Sequence, residues 1–229
     1  MINKQIATAA EALEGTKDGA VVLVGGFGQI GHPLALIDAL IEVGAKDLTI
    51  VCNNAGIGTA GLPRLMKLGR VRKIICSFPR TAKVFSELYA EGEIGLEITP
   101  QGTLAERIRA AGAGIGGFYT RTGAGTLMAK GKETREIDGE TYIFEKPLHA
   151  DLAILEGWEA DRWGNITYKG SAQNFNPIMA TAAKISVAQV QRVVELGTID
   201  PISVGTPGIF IDRVVAVPYQ PPYQAISYA

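Results

Sequence analysis

The 229-residue sequence has few of the histidines and cysteines that bind zinc or form disulfides. Its two histidines, His32 and His149, are too few for a histidine-rich metal site. Its two cysteines, Cys52 and Cys76, lie in apolar runs without Cys-x-x-Cys spacing, so we expect buried, reduced thiols. These shortages argue against zinc-binding and disulfide-stabilised classes of protein, and we expect no metal site.

Strong net charge, a long apolar run and a leader pattern are also missing. The net charge is −1 at pH 7, which creates no field that would attract nucleic acid or an anionic membrane. No uncharged apolar run approaches the roughly 20 residues that cross a bilayer. The N-terminus has no basic-then-apolar signal pattern. We therefore expect a cytoplasmic protein that binds neither nucleic acid nor membranes.

Short apolar runs alternate along the chain with segments whose apolar residues recur at helical spacing. This alternation is typical of βαβ units, so we expect one α/β domain over 1–217 with a mainly parallel, helix-flanked sheet. The last residues, 218–229, contain three prolines and three tyrosines. We interpret them as a C-terminal tail that is ordered only by docking against another surface.

Local patterns predict the individual elements. Asp138-Gly139 between β-prone residues predicts a β-hairpin over 135–144, inserted into the alternation. Thr103 and Glu106 form a capping-box pattern, which predicts a helix over 104–111. The remaining predicted strands are 21–24, 48–52, 71–77, 95–99, 151–155, 185–190 and 209–217, and the remaining predicted helices are 5–14, a helix from Leu34 that Gly44 closes, 81–91 and 177–184.

The most informative segment runs from Asp18 to Pro33. It contains a short apolar strand, a glycine-rich turn and a helix start, an arrangement that favours an anionic or phosphorylated group beside backbone N–H donors. Gly26, Gly28 and Gly31 also satisfy the G-x-G-x-x-G pattern of dinucleotide-binding proteins. Two interpretations therefore compete at this turn.

A nicotinamide site needs an acidic side chain about 20 residues further on, at the end of the second strand. That strand ends in Asn53-Asn54, and Asp47 precedes it, at the opposite end of the sheet. The missing carboxylate weighs against an NAD-binding oxidoreductase but does not remove it. A non-catalytic ligand-binding α/β protein also stays open.

Several motifs resemble the family I coenzyme A transferases. Around the turn, Asp18-Gly19, Gly25-Gly26-Phe27 and Gly31-His32-Pro33 fall in register with that family's signature. The resemblance covers nearly the whole chain. It continues through Asn53–Gly56, Pro100–Thr103, Thr122–Thr126, Gly131–Glu133, Asn174–Pro177 and Thr206–Ile209.

The resemblance implies a ping-pong reaction in which a glutamate carries coenzyme A as a thioester. That glutamate belongs to a Ser-Glu-Asn-Gly motif, which this chain does not contain. The chain therefore resembles an α (A) subunit with no catalytic residue of its own, which a β subunit completes in a hetero-oligomer, expected to be a heterotetramer. Coenzyme A thioester is expected as substrate, with no permanently bound cofactor. The residues expected to contact it are Gly25, Gly26, Phe27, Gly28, Gln29, Ile30 and Gly31.

Two side chains are candidate contacts for the acyl substrate. Asn53 and Arg80 are candidates to contact it, Arg80 through a second substrate carboxylate. The segments Ser77–Arg80 and Asp161–Asn165 look most like the branch that uses succinyl-CoA and 3-oxoadipate, and an acetoacetate- or butyrate-type transferase is the alternative.

Other ionisable side chains are expected to take no part in catalysis. His32 is expected to mark the helix start, with contact to the substrate as the alternative, because a carboxylate nucleophile needs no general base. Glutamates 87, 106 and 145 are expected to be solvated or capping side chains.

Overall fold

The computed structural model describes residues 2–79 and 82–217. Its strands alternate with helices along the first half of the chain, as the sequence predicts. The strands are β1 Gln5–Ile6, β2 Val21–Val24, β3 Leu48–Asn54, β4 Val71–Phe78, β5 Gly95–Ile98, β6 Phe118–Thr120, β7 Thr134–Ile137, β8 Glu140–Glu145, β9 Ala150–Glu156, β10 Glu159–Asp161, β11 Ala183–Val190, β12 Arg192–Val194 and β13 Arg213–Ala216. The helices are α1 Ala9–Ala12, α2 Leu34–Glu42, α3 Leu62–Lys67, α4 Lys83–Ala90, α5 Gln101–Gly112 and α6 Asn176–Ala180.

Eight strands form the central sheet in the order β1-β13-β11-β9-β2-β3-β4-β5. Every neighbouring pair in this sheet is parallel, so all the carboxyl ends lie on one edge, called here the carboxyl edge. The expected parallel α/β architecture is confirmed. Strands β6, β8 and β7 form a separate antiparallel sheet, and β7 and β8 are the predicted hairpin.

Side chains alternate between two cores because successive strand residues point to opposite faces. Val22 and Val24 lie in the core that packs against α1 to α4, whereas Leu23 lies in the core that packs against α5 and α6. Both faces are therefore buried, which explains why the central strands are continuously apolar. The ends of these strands are left as the accessible part of the sheet.

Several predicted elements need correction. The helix predicted over 5–14 begins only at Ala9, because Gln5 and Ile6 pair with β13. Thr103 lies buried inside α5, and its hydroxyl has no hydrogen-bond partner among the residues that the structure describes, so it does not cap the helix. The helix predicted over 177–184 ends at Ala180, and the strand predicted over 209–217 is a 3₁₀ turn followed by β13. Helix α3 was not predicted.

Within the described ranges, no helix is both long enough and apolar enough to cross a membrane. The predicted tail, 218–229, lies outside the described residues, so its boundary at 217 stays a prediction.

Candidate active site

The carboxyl edge gathers the polar segments that follow the central strands. The glycine-rich turn follows β2, Asn53-Asn54 ends β3, and Glu156 ends β9. In open α/β sheets, ligands bind at this edge. The structure therefore places the turn and Asn53 on the same side of the molecule.

The glycine-rich turn is a closed two-residue hairpin. The N–H of Phe27 donates to the carbonyl of Ile30 at 2.9 Å, and the N–H of Ile30 donates back to Phe27 at 3.0 Å. Gly28 has a φ of 63°, whereas Gln29 is not among the residues with positive φ, which matches a type II′ turn. Phe27 and Ile30 flank the tip and are about half exposed.

Most of the turn's N–H groups are already bonded, which differs from the bare donors that the sequence suggested. Gly25 donates to Ile154, and Gly26 donates to the Asn174 side chain. At the start of α2, Leu34 donates to the His32 carbonyl and Leu36 to the Gln189 side chain. Among the described residues, the N–H groups of the turn that stay unbonded are those of Gly28, Gln29 and Gly31.

His32 supports the turn from behind. It is buried, and its Nε2 lies 2.9 Å from the Gly28 carbonyl oxygen. Burial lowers the pKa of His32 below its usual value, so the ring is neutral near pH 7 and donates to that carbonyl. A Cβ on Gly26 would lie 2.7 Å from this ring, which leaves only glycine room there. The predicted position of His32 beside the start of α2 is confirmed, and its ring is buried in the protein.

Amide side chains line the edge next to the turn. Asn54 donates through Nδ2 to the Gly28 carbonyl at 3.1 Å and accepts from the N–H of Gly56. The neighbouring Asn53 is buried and donates to Gln101 Oε1 at 3.3 Å. Gln101 is the first residue of α5, and its sequence signal was its place in the motif Pro100–Thr103. The amide groups of Asn53 and Gln101 therefore lie next to each other at this edge.

Ser77 stands beside Asn53, because the register pairs Cys52 with Cys76 and Asn54 with Phe78. Its hydroxyl is shielded from solvent and has no hydrogen-bond partner in the described residues. Arg80, the other substrate candidate, lies outside the described residues.

Glu156 was not predicted from sequence. Its carboxyl has no hydrogen-bond partner among the described residues, and burial raises its pKa to about 7. In the register it stands beside Gln189 of β11. A carboxyl that is partly protonated near neutral pH therefore lies at the end of β9, close to the strand that leads into the turn.

The other glutamates divide into two groups. Glu87 and Glu106 are exposed and pair with Lys83 and Arg109, so the expectation of solvated side chains is confirmed for them. The expectation for Glu145 was wrong. Its side chain is 4% exposed and pairs with Lys132 and, at 3.9 Å, with Arg107.

A metal site needs several ligating side chains close together. The described part of the chain has no group of three or more His, Cys, Asp or Glu residues that could hold an ion. Both cysteines are buried and free, as expected.

Comparison with known proteins identifies the class to which this fold and site belong. The family model described as Coenzyme A transferase matches residues 6–217, and the chain belongs to this family. It is 59% identical over 219 residues to the A subunit of a 3-oxoadipate CoA-transferase of Pseudomonas putida, with 95% of each chain covered. It is 56% identical to the protein of the same description from Acinetobacter baylyi, with 96% of this chain and 98% of the relative covered. The A subunit of a succinyl-CoA:3-ketoacid coenzyme A transferase of Xanthomonas campestris is 49% identical over 93% of this chain and 88% of the relative.

Solved structures show the same fold. An acyl-CoA transferase from Escherichia coli O157:H7, determined as a thioester complex with CoA, superposes with a TM-score of 0.87 at 25% identity. The comparison covers 98% of this chain but 49% of the E. coli chain, so the present chain spans about half of that protein. Glutaconate coenzyme A-transferase from Acidaminococcus fermentans superposes with a TM-score of 0.83 at 20% identity, over 94% of this chain and 76% of that one.

Proposed function

We propose that this chain is the α (A) subunit of a two-subunit transferase that moves coenzyme A from succinyl-CoA to a 3-oxo acid. We propose 3-oxoadipate as the preferred acceptor. The observation that carries the proposal is the near-complete match to two relatives that are described as A subunits of 3-oxoadipate CoA-transferases. The glycine-rich turn on the carboxyl edge of the sheet supports it, because it presents unbonded N–H groups at an exposed tip.

The proposed reaction has two halves. A glutamate of the β subunit first attacks the thioester carbonyl of succinyl-CoA, and the CoA thiolate leaves, which gives a mixed anhydride. The thiolate then attacks the glutamyl carbonyl and releases succinate, so that the glutamate carries CoA as a thioester. The same steps in reverse, with the 3-oxo acid as nucleophile, release the new CoA thioester. No resident cofactor is required.

This chain's proposed contribution is electrostatic. Each attack on a carbonyl places negative charge on its oxygen, and one preoriented N–H donor to such an oxygen is typically worth about 3 kcal/mol. The N–H groups of Gly28, Gln29 and Gly31 are the candidates within the turn 25–31. The wider turn would line the thiol and acyl region of coenzyme A, because glycine lets the backbone approach closely.

The acyl group would lie against the amide side chains beside the turn. Asn53 and Gln101 present amide groups that suit a substrate carboxylate or keto oxygen. Arg80 comes two residues after the end of β4 in the sequence and would pair with the second carboxylate of 3-oxoadipate. Acetoacetate has no second carboxylate, so Arg80 would distinguish the two acceptors.

The partner, the assembly and the location belong to the same proposal. The relatives are described as A subunits, which supports a β subunit in the role of partner. An α–β heterotetramer in the cytoplasm is proposed, with small-molecule acyl-CoA and carboxylic acid as its other partners.

The test is CoA transfer by the chain co-purified with its β subunit. We expect turnover of succinyl-CoA with 3-oxoadipate by the complex and none by this chain alone. Turnover by the isolated chain would contradict its assignment to a two-subunit enzyme. A complex that is inactive with every 3-oxo acid would contradict the reaction class. Equal rates with 3-oxoadipate, acetoacetate and butyrate would contradict only the acceptor.

The role of Arg80 has its own test. Arg80→Gln should raise the KM for 3-oxoadipate by about 10- to 100-fold, the value of a hydrogen-bonded charge pair, and leave the KM for acetoacetate unchanged. Arg64→Gln is the control, because Arg64 is an exposed arginine that pairs with Asp38. Equal effects on the two acceptors would contradict the proposed contact.

A further inference from the structure

Asn174 lies far along the chain from the glycine-rich turn but bonds to both of its arms. Its Oδ1 accepts from the N–H of Gly26 at 3.1 Å, before the tip. Its Nδ2 donates to the carbonyl of Ile30 at 3.0 Å, after the tip. One side-chain amide therefore bridges the two arms at the base of the hairpin, in addition to the backbone bonds between Phe27 and Ile30.

The remaining hydrogen-bonding capacity of this amide is also used. Oδ1 accepts a second bond from the N–H of Phe175 at 2.6 Å, and Nδ2 donates a second bond to the carbonyl of Ser171 at 3.0 Å. An asparagine amide has two donors and two acceptor sites, so Asn174 is saturated. Only this orientation faces the oxygen toward N–H groups and the nitrogen toward carbonyls, so the bonds determine the orientation of the amide.

The backbone at Asn174 is held in an unusual conformation. Its φ is 20° and its ψ is −116°, a backbone conformation that residues other than glycine rarely adopt. A Cβ on Gly31 would lie 2.8 Å from Asn174 Nδ2, so the turn and this side chain are packed against each other. Strain of this kind persists where the surrounding structure determines it, and it is common at functional sites.

The consequence concerns the direction of the unbonded donors. The tip residues Gly28 and Gln29 lie between the two arms, so their N–H groups point where the arms hold them. Without the Asn174 side chain, the Gly26 end of the turn has no bond to the segment around 174, although the bonds between Phe27 and Ile30 persist. The carbonyl of Gly28 would still be held by His32 and Asn54, and that of Gly31 by Asn176, so the loss of Asn174 frees the Gly26 arm of the hairpin in particular.

We infer that Asn174 is a positioning residue for coenzyme A transfer: its amide fixes the base of the turn 25–31 so that the N–H groups of Gly28 and Gln29 face the reacting carbonyl. This inference rests on the proposed function. It concerns orientation of the donors, since Asn174 itself need not touch the substrate.

Two variants test it in the complex with the β subunit. Asn174→Gly removes all four side-chain bonds but accommodates the positive φ, so the fold should persist. Asn174→Asp keeps the acceptor toward Gly26 and places an oxygen against the carbonyl of Ile30. The control is Asn165→Ala, which removes a side chain that accepts from the N–H of Gly208 and donates to Asp161, away from the turn.

Two measurements are made on each variant. Amide hydrogen exchange of peptides covering 25–31 should become faster in Asn174→Gly and Asn174→Asp but not in Asn165→Ala. The kcat for CoA transfer should fall about 10- to 100-fold in both Asn174 variants with little change in KM, as expected when donors that act on the transition state are displaced. Asn165→Ala should stay within about threefold of the unmodified complex, because it leaves the turn intact.

The outcomes separate the claims. Unchanged exchange in the peptides would show that Asn174 does not hold the turn and would overturn the inference. Faster exchange with unchanged kcat would overturn the positioning role. An inactive unmodified complex would overturn the proposed function, while the exchange measurement would still decide whether Asn174 holds the turn.

Discussion

The side-chain oxygen of Asn176 lies 1.8 Å from the point that a Cβ atom on Gly25 would occupy. Asn176 is fully buried, and its Oδ1 accepts from the N–H of Glu156 at 3.0 Å. Its Nδ2 donates to the carbonyls of Gly31 and Ala172. The first glycine of the turn therefore leaves the space in which a second asparagine bonds the turn to the sheet.

Alanine substitutions at two glycines of the turn should differ in their effect on stability. Gly25→Ala must displace the Asn176 amide and leave buried polar groups unpaired, which should cost about 2 to 5 kcal/mol in the free energy of unfolding. Gly28→Ala meets no atom within 4 Å but forces an alanine to a φ of 63°, which should cost about 1 to 2 kcal/mol. Urea unfolding of each variant measures both values. Equal losses would contradict the close contact at Gly25.

A pair of arginines in α5 provides the second prediction. Arg107 donates to Glu97 Oε1 at 2.8 Å and to the carbonyl of Lys146 at 3.0 Å, and its Nε lies 3.9 Å from the buried Glu145. It joins α5 to β5 and to the antiparallel sheet. Arg107→Ala would remove one of the two cations beside Glu145, and we expect a loss of about 3 kcal/mol.

Arg109 is the matched control, two residues further along the same helix. It is exposed and pairs with Glu106, so Arg109→Ala should change the free energy of unfolding by less than about 0.5 kcal/mol. Thermal and urea unfolding of the two variants compare them directly. Similar losses at the two positions would show that burial of the Arg107 network contributes nothing.

The pKa of Glu156 predicts how stability changes with pH. Below about pH 4.5 the carboxyl is protonated in the folded and the unfolded chain alike. Between pH 4.5 and about 7 it ionises only when the chain unfolds, because burial holds the folded pKa near 7. The folded state then binds more protons, so its stability decreases as pH rises through this window. The loss reaches about 3 kcal/mol above pH 7, at about 1.4 kcal/mol per pKa unit.

Glu156→Gln should remove this dependence. The variant should exceed the unmodified chain in stability most at pH 8 and by little at pH 4.5, because a glutamine is uncharged at both. Glu87→Gln serves as the control, since Glu87 is exposed and pairs with Lys83. A Glu156→Gln advantage that is the same at both pH values would contradict the raised pKa.

The sequence predicted the parts of this molecule that depend on local patterns. The apolar alternation located the parallel strands, and Asp138-Gly139 located the hairpin. The bonds that complete the site are long-range. Asn174 bonds Gly26 across 148 positions, and no local pattern indicates this distance. Glu145 was predicted to be solvated because its burial and its ion pair with Lys132 depend on tertiary structure, which local sequence does not show.

The same distinction explains the misplaced elements. Gln5 and Ile6 have helical spacing with their neighbours, but backbone pairing with Val214 and Val215 places them in the sheet. Helix α3 has only six residues, too few for a periodic signal. It follows Gly61, whose φ is 61°. The partner strand of β1 lies far outside any window of local periodicity, and α3 is too short to fill one.

The two cysteines provide the last prediction, because Cys52 and Cys76 stand side by side on β3 and β4 with no exposed surface. Burial raises the pKa of Cys52 well above its usual range and that of Cys76 to about 11. At pH 8 only about one Cys76 thiol in a thousand is then a reactive thiolate, and solvent does not reach it. Iodoacetamide should therefore label neither cysteine in the folded chain and both in urea, as measured by the mass of the intact protein. The unfolded sample is the control for reagent activity, and labelling of either thiol under native conditions would show that this part of the core opens to solvent.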